Sequence, residues 1–196
     1  MKRNNIYTVQ FRRKRKSLTD YRKRLKILSS NKLRLVVRKS LKNIQASIVM
    51  YDKKGDIVKV SSHSSSLKKF GWPYNTGNLP SAYLVGFLLG KKAKKIKLDN
   101  AILDIGLQKS IKGSRIYAVL SGALDAGLDI PHSKEVLPSK ERISGTHISK
   151  YGQELKKDES KLKKQFSGYL KNNVEAENIT KKFEEIKKHI DENQGK

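Results

Sequence analysis

Cysteine is absent from the 196 residues, which excludes a disulfide scaffold, a thiolate metal site and a cysteine nucleophile. Acidic residues are scarce: 18 Asp and Glu face 44 Lys and Arg, for a formal net charge of +26. Like charges at that density repel and oppose a compact state unless a polyanion neutralises them. No apolar run approaches the roughly 18 residues of a membrane span; the longest, Ala82–Gly90, has half that length. The basic N-terminus is not followed by the apolar stretch a signal peptide needs. Gly-x-x-x-x-Gly-Lys-Ser/Thr and Gly-x-Gly-x-x-Gly loops are both missing, so no phosphate cradle of a nucleotide enzyme is marked. The four histidines, His63, His132, His147 and His189, lack metal-ligand spacing. These absences predict a soluble intracellular chain with an anionic partner, without membrane, cofactor or small-molecule substrate.

What is present is cation, unevenly placed. Residues 1–32 hold 12 basic and 1 acidic side chains, residues 33–130 hold 17 and 6, and residues 131–196 hold 15 and 11. The chain prefers Lys (34) to Arg (10), yet Arg3, Arg12, Arg13, Arg15, Arg22, Arg24, Arg34 and Arg38 all fall in the first 38 residues. A guanidinium offers a planar donor fork for phosphate oxygens and guanine edges and stacks on bases, whereas an ammonium is a point charge. That placement predicts a structured nucleic-acid contact rather than mere solubility.

Met1–Lys16 has no apolar periodicity and is expected to order only against a partner; extended, it would reach about 50 Å. Ser17 or Thr19 can cap a short helix with Tyr21, Leu25 and Leu28 on one face. From Leu33 the period becomes two: Leu33, Leu35 and Val37 alternate with Arg34 and Arg38. Ile44–Tyr51 alternates likewise, Asp52–Asp56 reads as a hairpin turn, and Ile57–Ser61 returns. Ser61–Gly77 reads as a long loop with one helical turn at Ser66–Phe70. Asn78 caps a helix with Pro80 in its first turn, running to about Lys95. Ala101–Gly106 reads as a strand buried on both faces. A second helix opens at Gly113 or Ser114 and stops at Gly127. Pro131 and Pro138 then break regular structure, and Gln153–Leu170 and Ile179–Ile190 read as two solvated helices. The expected fold is α/β: an antiparallel three-stranded meander plus one strand after the first helix, in a mixed sheet with packed helices. The expected organisation is a basic arm (1–32), an α/β RNA-binding domain (33–150) and a charged helical tail (151–196).

Three groups are candidates for RNA contact. The arm and its helix supply Arg12, Arg13, Arg15, Lys16, Arg22, Arg24 and Lys26. The polar face of the meander and its first turn supply Arg34, Arg38, Lys39, Lys42, Gln45 and Ser47. The loop supplies Lys68, Lys69 and Trp72, where an aromatic beside cations could stack on bases; a local aromatic plug over the sheet is the other reading of Trp72. For catalysis only Asp104 stands in a suspicious place, and a strand-end carboxylate satisfied by nearby backbone is the simpler account. Gly86 and Gly90 read as allowing a helix to approach the sheet closely.

Several blocks resemble one family. Tyr21-Arg-Lys-Arg-Leu-Lys-Ile-Leu28, Leu33-Arg-Leu-Val-Val-Arg-Lys-Ser40, Thr76-Gly-Asn-Leu-Pro-Ser-Ala-Tyr-Leu-Val-Gly86 and Ala101-Ile-Leu-Asp-Ile-Gly106 are similar to the large-subunit ribosomal proteins that bind 5S rRNA. So are Gly122-Ala-Leu-Asp-Ala-Gly127 and Pro131-His-Ser-Lys-Glu-Val-Leu-Pro138. The family is number eighteen of the universal large-subunit set, here in its archaeal form, and the resemblance covers about residues 5–150. It implies a ribonuclease-H-like sheet without nuclease chemistry. It also implies a complex with 5S rRNA in the central protuberance of the cytoplasmic ribosome, beside 23S rRNA and neighbouring large-subunit proteins. Arg24, Arg34, Arg38 and Lys39 lie in matching blocks and are implied RNA contacts; Arg142-Ile-Ser-Gly-Thr-His147 adds Arg142 and His147. Residues 152–196 carry no resemblance, and Trp72-Pro-Tyr-Asn75 departs from the family's loop. The rival readings are an RNA-processing nuclease on the same fold and a DNA-compacting architectural protein.

Overall fold

The computed structural model describes residues 8–195; Arg3 and the rest of the first seven residues of the arm lie outside the described residues. Two short helices open it, α1 (Arg12–Arg15) and α2 (Tyr21–Leu28). Three antiparallel strands follow, β1 (Arg34–Lys39), β2 (Ile44–Met50) and β3 (Ile57–His63), then a 3-10 helix, Ser64–Phe70. Helix α3 (Leu79–Lys95) crosses to β4 (Ile102–Asp104), and α4 (Arg115–Asp125) comes next. The tail holds α5 (Lys140–Ser144), α6 (Thr146–Leu155), α7 (Glu159–Gln165), α8 (Ser167–Lys171) and α9 (Ile179–Gly195). The mixed sheet has the order β3-β2-β1-β4, with β4 parallel to β1. The α/β expectation therefore holds, but β4 is an edge strand with Ile102 and Leu103 only half-buried, not a strand buried on both faces.

The pleat sorts the strands into two faces. Leu35 pairs across from Ile48 and Val37 from Ala46, and these four join Ile44 in the core under α3. Helix α3 is capped by Asn78, whose side chain accepts from Ser81 N–H at 2.8 Å. It is buried almost all round, every residue from Leu79 to Gly90 included. Such a helix needs partners on several sides. The sheet is one and α4 is another.

The α3–α4 contact depends on three glycines. A Cβ built on Gly86 would lie 2.0 Å from the Val119 carbonyl oxygen, and one on Gly122 would lie 2.1 Å from that of Tyr83. A Cβ on Gly90 would meet the Ala126 Cβ at 2.5 Å. The close approach expected of Gly86 and Gly90 is thus to α4, not to the sheet.

The third partner of α3 is α9. Ile179, Phe183, Ile186 and Ile190 are all buried in the same core, each side chain contributing on the order of 1.5–3 kcal/mol. The Phe183 ring lies 5.4 Å from that of Tyr83, Lys187 sits over the Tyr83 and Phe87 rings, and Lys91 pairs with Asp191. The expectation of a solvated helix at 179–190 is corrected: its narrow stripe is a core face.

The expected helix over Gln153–Leu170 is also divided. Helix α6 ends at Leu155, Asp158 caps α7 by accepting from Lys161 N–H at 3.4 Å, and Phe166 separates α7 from α8. Regular structure resumes after Pro138 in α5 and α6, joined by Gly145 at φ +89°, where a Cβ would press on Pro80 and Ile179.

Candidate nucleic-acid interface

The second face of the sheet carries charge. Alternation puts Arg34, Val36 and Arg38 of β1 opposite the core, with Val49, Ser47 and Gln45 of β2 as their cross-strand neighbours. The parallel register sets Asp104 of β4 beside Val36. Arg34 Nη1 lies 3.1 Å from Asp104 Oδ2, and Arg38 Nη2 lies 3.3 Å from Asp104 Oδ1. Arg38 Nη1 donates to the Asp104 carbonyl at 2.8 Å, and Gly106 N–H donates to Asp104 Oδ1 at 2.8 Å. On the other side Arg34 Nη2 is 2.7 Å from Asp56 Oδ2, and Arg24 of α2 gives its Nη2 to Asp56 at 2.9 and 3.0 Å. Five charges therefore alternate in sign: Arg24, Asp56, Arg34, Asp104, Arg38.

This chain decides what each arginine can do. Arg34 is 2% exposed, so its charge is spent on Asp56 and Asp104 and it cannot reach a phosphate. Its Nε has no hydrogen-bond acceptor among the described residues. Its role is to position the two carboxylates that hold Arg24 and Arg38. Burial pushes the Asp56 carboxyl up, but hydrogen bonds and charge from Arg34 and then Arg24 outweigh it and hold the group below its ordinary value. Asp104 is satisfied by two guanidiniums as well as by the Gly106 backbone, more than the backbone account foresaw. Among the described residues no group of three or more His, Asp or Glu could hold a metal ion.

A groove of about 990 Å³ runs between α2 and this face. Arg13, Lys23, Arg24, Lys26 and Arg38 line it, with Asp20, Asp56 and Asp104 as its acidic members. Asp20, not Ser17 or Thr19, caps α2, accepting from Arg22 and Lys23 N–H at 3.0 and 3.1 Å. Ser17 sits at φ +51°, outside the extended conformation a cap requires. Thr19 instead accepts from Arg13 Nε at 2.7 Å. The inward face of α2 is Tyr21, Arg24, Ile27 and Leu28, all half-buried, so the expected stripe of Tyr21, Leu25 and Leu28 fails only at Leu25, which is 71% exposed. The arm expected to lack structure before Lys16 forms α1, with Phe11 against Tyr21. Arg12, Arg15, Lys16 and Arg22 point outward, exposed.

The remaining candidates divide. Lys42, Gln45, Lys68, Lys69 and Arg142 are exposed, Lys39 and His147 half-buried. Ser47 is buried within the sheet face. Trp72 is 2% exposed, edge-on to Tyr74 at 5.2 Å with Nε1 donating to the Asn75 carbonyl at 3.3 Å. It is the plug and is not available to a base. Arg115, which drew no attention in the sequence, donates to the carbonyls of Gly77 (2.8 Å), Ser40 (3.3 Å) and Leu41 (3.4 Å). It ties the β1–β2 turn to the loop before α3; its one signal was being an arginine outside the N-terminal cluster. A second groove, of about 680 Å³, collects Lys42, Lys68 and His147 against α6–α8. Burial, and then the Arg142 charge, lower the His147 pKa.

Comparison with known proteins gives this charged surface its setting. A family model describing ribosomal large subunit proteins 60S L5 and 50S L18 matches residues 5–101 and 93–133, which include α2, the whole sheet and every member of the alternating charge chain. The large ribosomal subunit protein uL18 of Methanococcus maripaludis is 49% identical over 190 residues, covering 97% of this chain and 98% of that protein. On a match that runs nearly end to end, the chain belongs to the L18 family of large-subunit ribosomal proteins.

Proposed function

We propose that this chain binds 5S rRNA and helps attach it to 23S rRNA in the central protuberance, beside neighbouring large-subunit proteins. Family membership makes it a structural component of the large subunit of the cytoplasmic ribosome, not an enzyme, with ribosomal RNA and ribosomal proteins as partners. The finer reading rests on one observation. The groove over the open sheet face is walled by cations on a helix and on a strand, held at fixed separation by Asp56 and Asp104. Arg12, Arg13, Arg15, Lys16, Arg22, Lys26 and Arg38 take phosphates, while the buried Arg34 keeps the wall in place. The division of labour follows the chain: arm (1–32) and body (33–150) grip 5S rRNA, and the tail (151–196) completes the body and faces the rest of the subunit.

Salt tests this reading. Each phosphate neutralised releases condensed counterion, so log K for 5S rRNA falls against log salt by about 0.7–0.9 per contact. Replacing Arg12, Arg13, Arg15 or Arg22 by Ala should lower the slope by about one contact each. Replacing Arg34 should weaken binding through loss of fold, without that simple slope change. A flat salt titration, or equal affinity for duplex DNA, would remove the proposal.

A further inference from the structure

The groove beside the β1–β2 turn shares no lining residue with the groove over the sheet. Thr76 Oγ1 lies 2.8 Å from the Lys42 carbonyl oxygen and 2.9 Å from Asn43 Oδ1, its one proton shared between the two acceptors, which fixes Lys42 against the loop before α3. The absence of a side chain at Gly77 lets that loop pass, since a Cβ there would lie 2.9 Å from the Leu41 carbonyl oxygen. The groove is also lined by Tyr151 of α6, 44% exposed, and by Phe166, half-buried where α7 ends and α8 begins. Their rings are 6.1 Å apart and tilted by 52°. No acidic residue lines the groove, and Lys42 and Lys68 have no salt-bridge partner among the described residues. His147 Nδ1 is buried without a hydrogen-bond partner among them.

We propose that this groove receives an unpaired nucleotide of 23S rRNA, its base on the rings of Tyr151 and Phe166 and its phosphates against Lys42 and Lys68. Aromatic faces beside cations are how proteins take splayed-out bases. Two lysines without a carboxylate favour a polyphosphate over a protein segment. The inference rests on the reading above: a chain that joins two RNAs needs two surfaces, and the first is taken up by 5S rRNA.

The test uses large subunits reconstituted with full-length protein carrying Tyr151→Ala, Tyr151→Phe, or Lys42→Ala together with Lys68→Ala. They are probed with dimethyl sulfate and a 2′-hydroxyl acylating reagent. One or a few unpaired 23S nucleotides protected by the wild-type protein should become severalfold more reactive with Tyr151→Ala and stay protected with Tyr151→Phe. The lysine pair should give an intermediate result. Unchanged reactivity in all three, or equal exposure with Phe and Ala, overturns the proposal. So does the same change in the binary complex with 5S rRNA, which would assign the groove to that molecule. Binding of Tyr151→Ala to 5S rRNA with an unaltered salt slope separates failure here from failure of the 5S reading, which is tested through the arm.

Discussion

Helices α2 and α9 stand near opposite ends of the chain, and both are rich in charge with a thin apolar stripe. Their fates differ. Helix α9 inserts Ile179, Phe183, Ile186 and Ile190 into the core beside Tyr83. Helix α2 has no fully buried residue, leaves Leu25 in solvent and reaches the sheet through the Arg24–Asp56 ion pair. A stripe becomes a core face only where the opposing element still has apolar surface to cover. The outer side of α3 offered it; the arginine-bearing face of the sheet did not. Helix α9 is thereby part of the fold, while α2 is tied to it by an ion pair and keeps most of its cations in solvent.

The sharpest way to break this comparison is to delete a ring from α9. Phe183→Ala should cost about 3–5 kcal/mol in urea unfolding. A loss below 1 kcal/mol would mean that α9 rests on the body rather than closing it. Next comes the platform beneath α9: Gly86→Ala drives a methyl into the Val119 backbone and should cost about 3 kcal/mol, seen as a lower Tm with α3 and α4 forced apart. Asp56→Asn follows, at about 1–2 kcal/mol, because it strands the buried Arg34 on one side while the site keeps some solvent screening. Its pH dependence has a fixed sign. The carboxyl is held below its ordinary value in the fold, so its contribution is complete above about pH 4 and is lost as pH falls through the depressed value. Unfolding curves of wild type and Asp56→Asn should therefore converge only in acid. The smallest effect belongs to Leu25→Ala on α2, within about 0.5 kcal/mol.

The meander was legible because alternation of Leu35, Val37, Ile44, Ala46 and Ile48 is local, and α3 was legible from Asn78, Pro80 and its apolar run. The docking of α9 was not read, although its signal was present: a helix apolar all round has more sides than one sheet and one helix can cover. The cations of the head were legible as cations, but not as paired or free. Arg34 meets Asp56 and Asp104 from distant parts of the chain, and no spacing rule joins them. Trp72 shows the same limit, since Lys68 and Lys69 beside it suggested stacking while the ring's apolar area drew it inward. The break at Asp158 was missed because its capping role competes with an otherwise helical pattern.

The sealing of α3 by α9 has a consequence for how the protein is made. Residues 179–190 are synthesised after every element they cover, so until they emerge the Tyr83 and Phe87 side of α3 lacks this cover. Folding of the body is consequently finished only once α9 has emerged. A nascent protein this cationic, with an unsealed apolar flank, is exposed in that interval to both stray RNA and self-association.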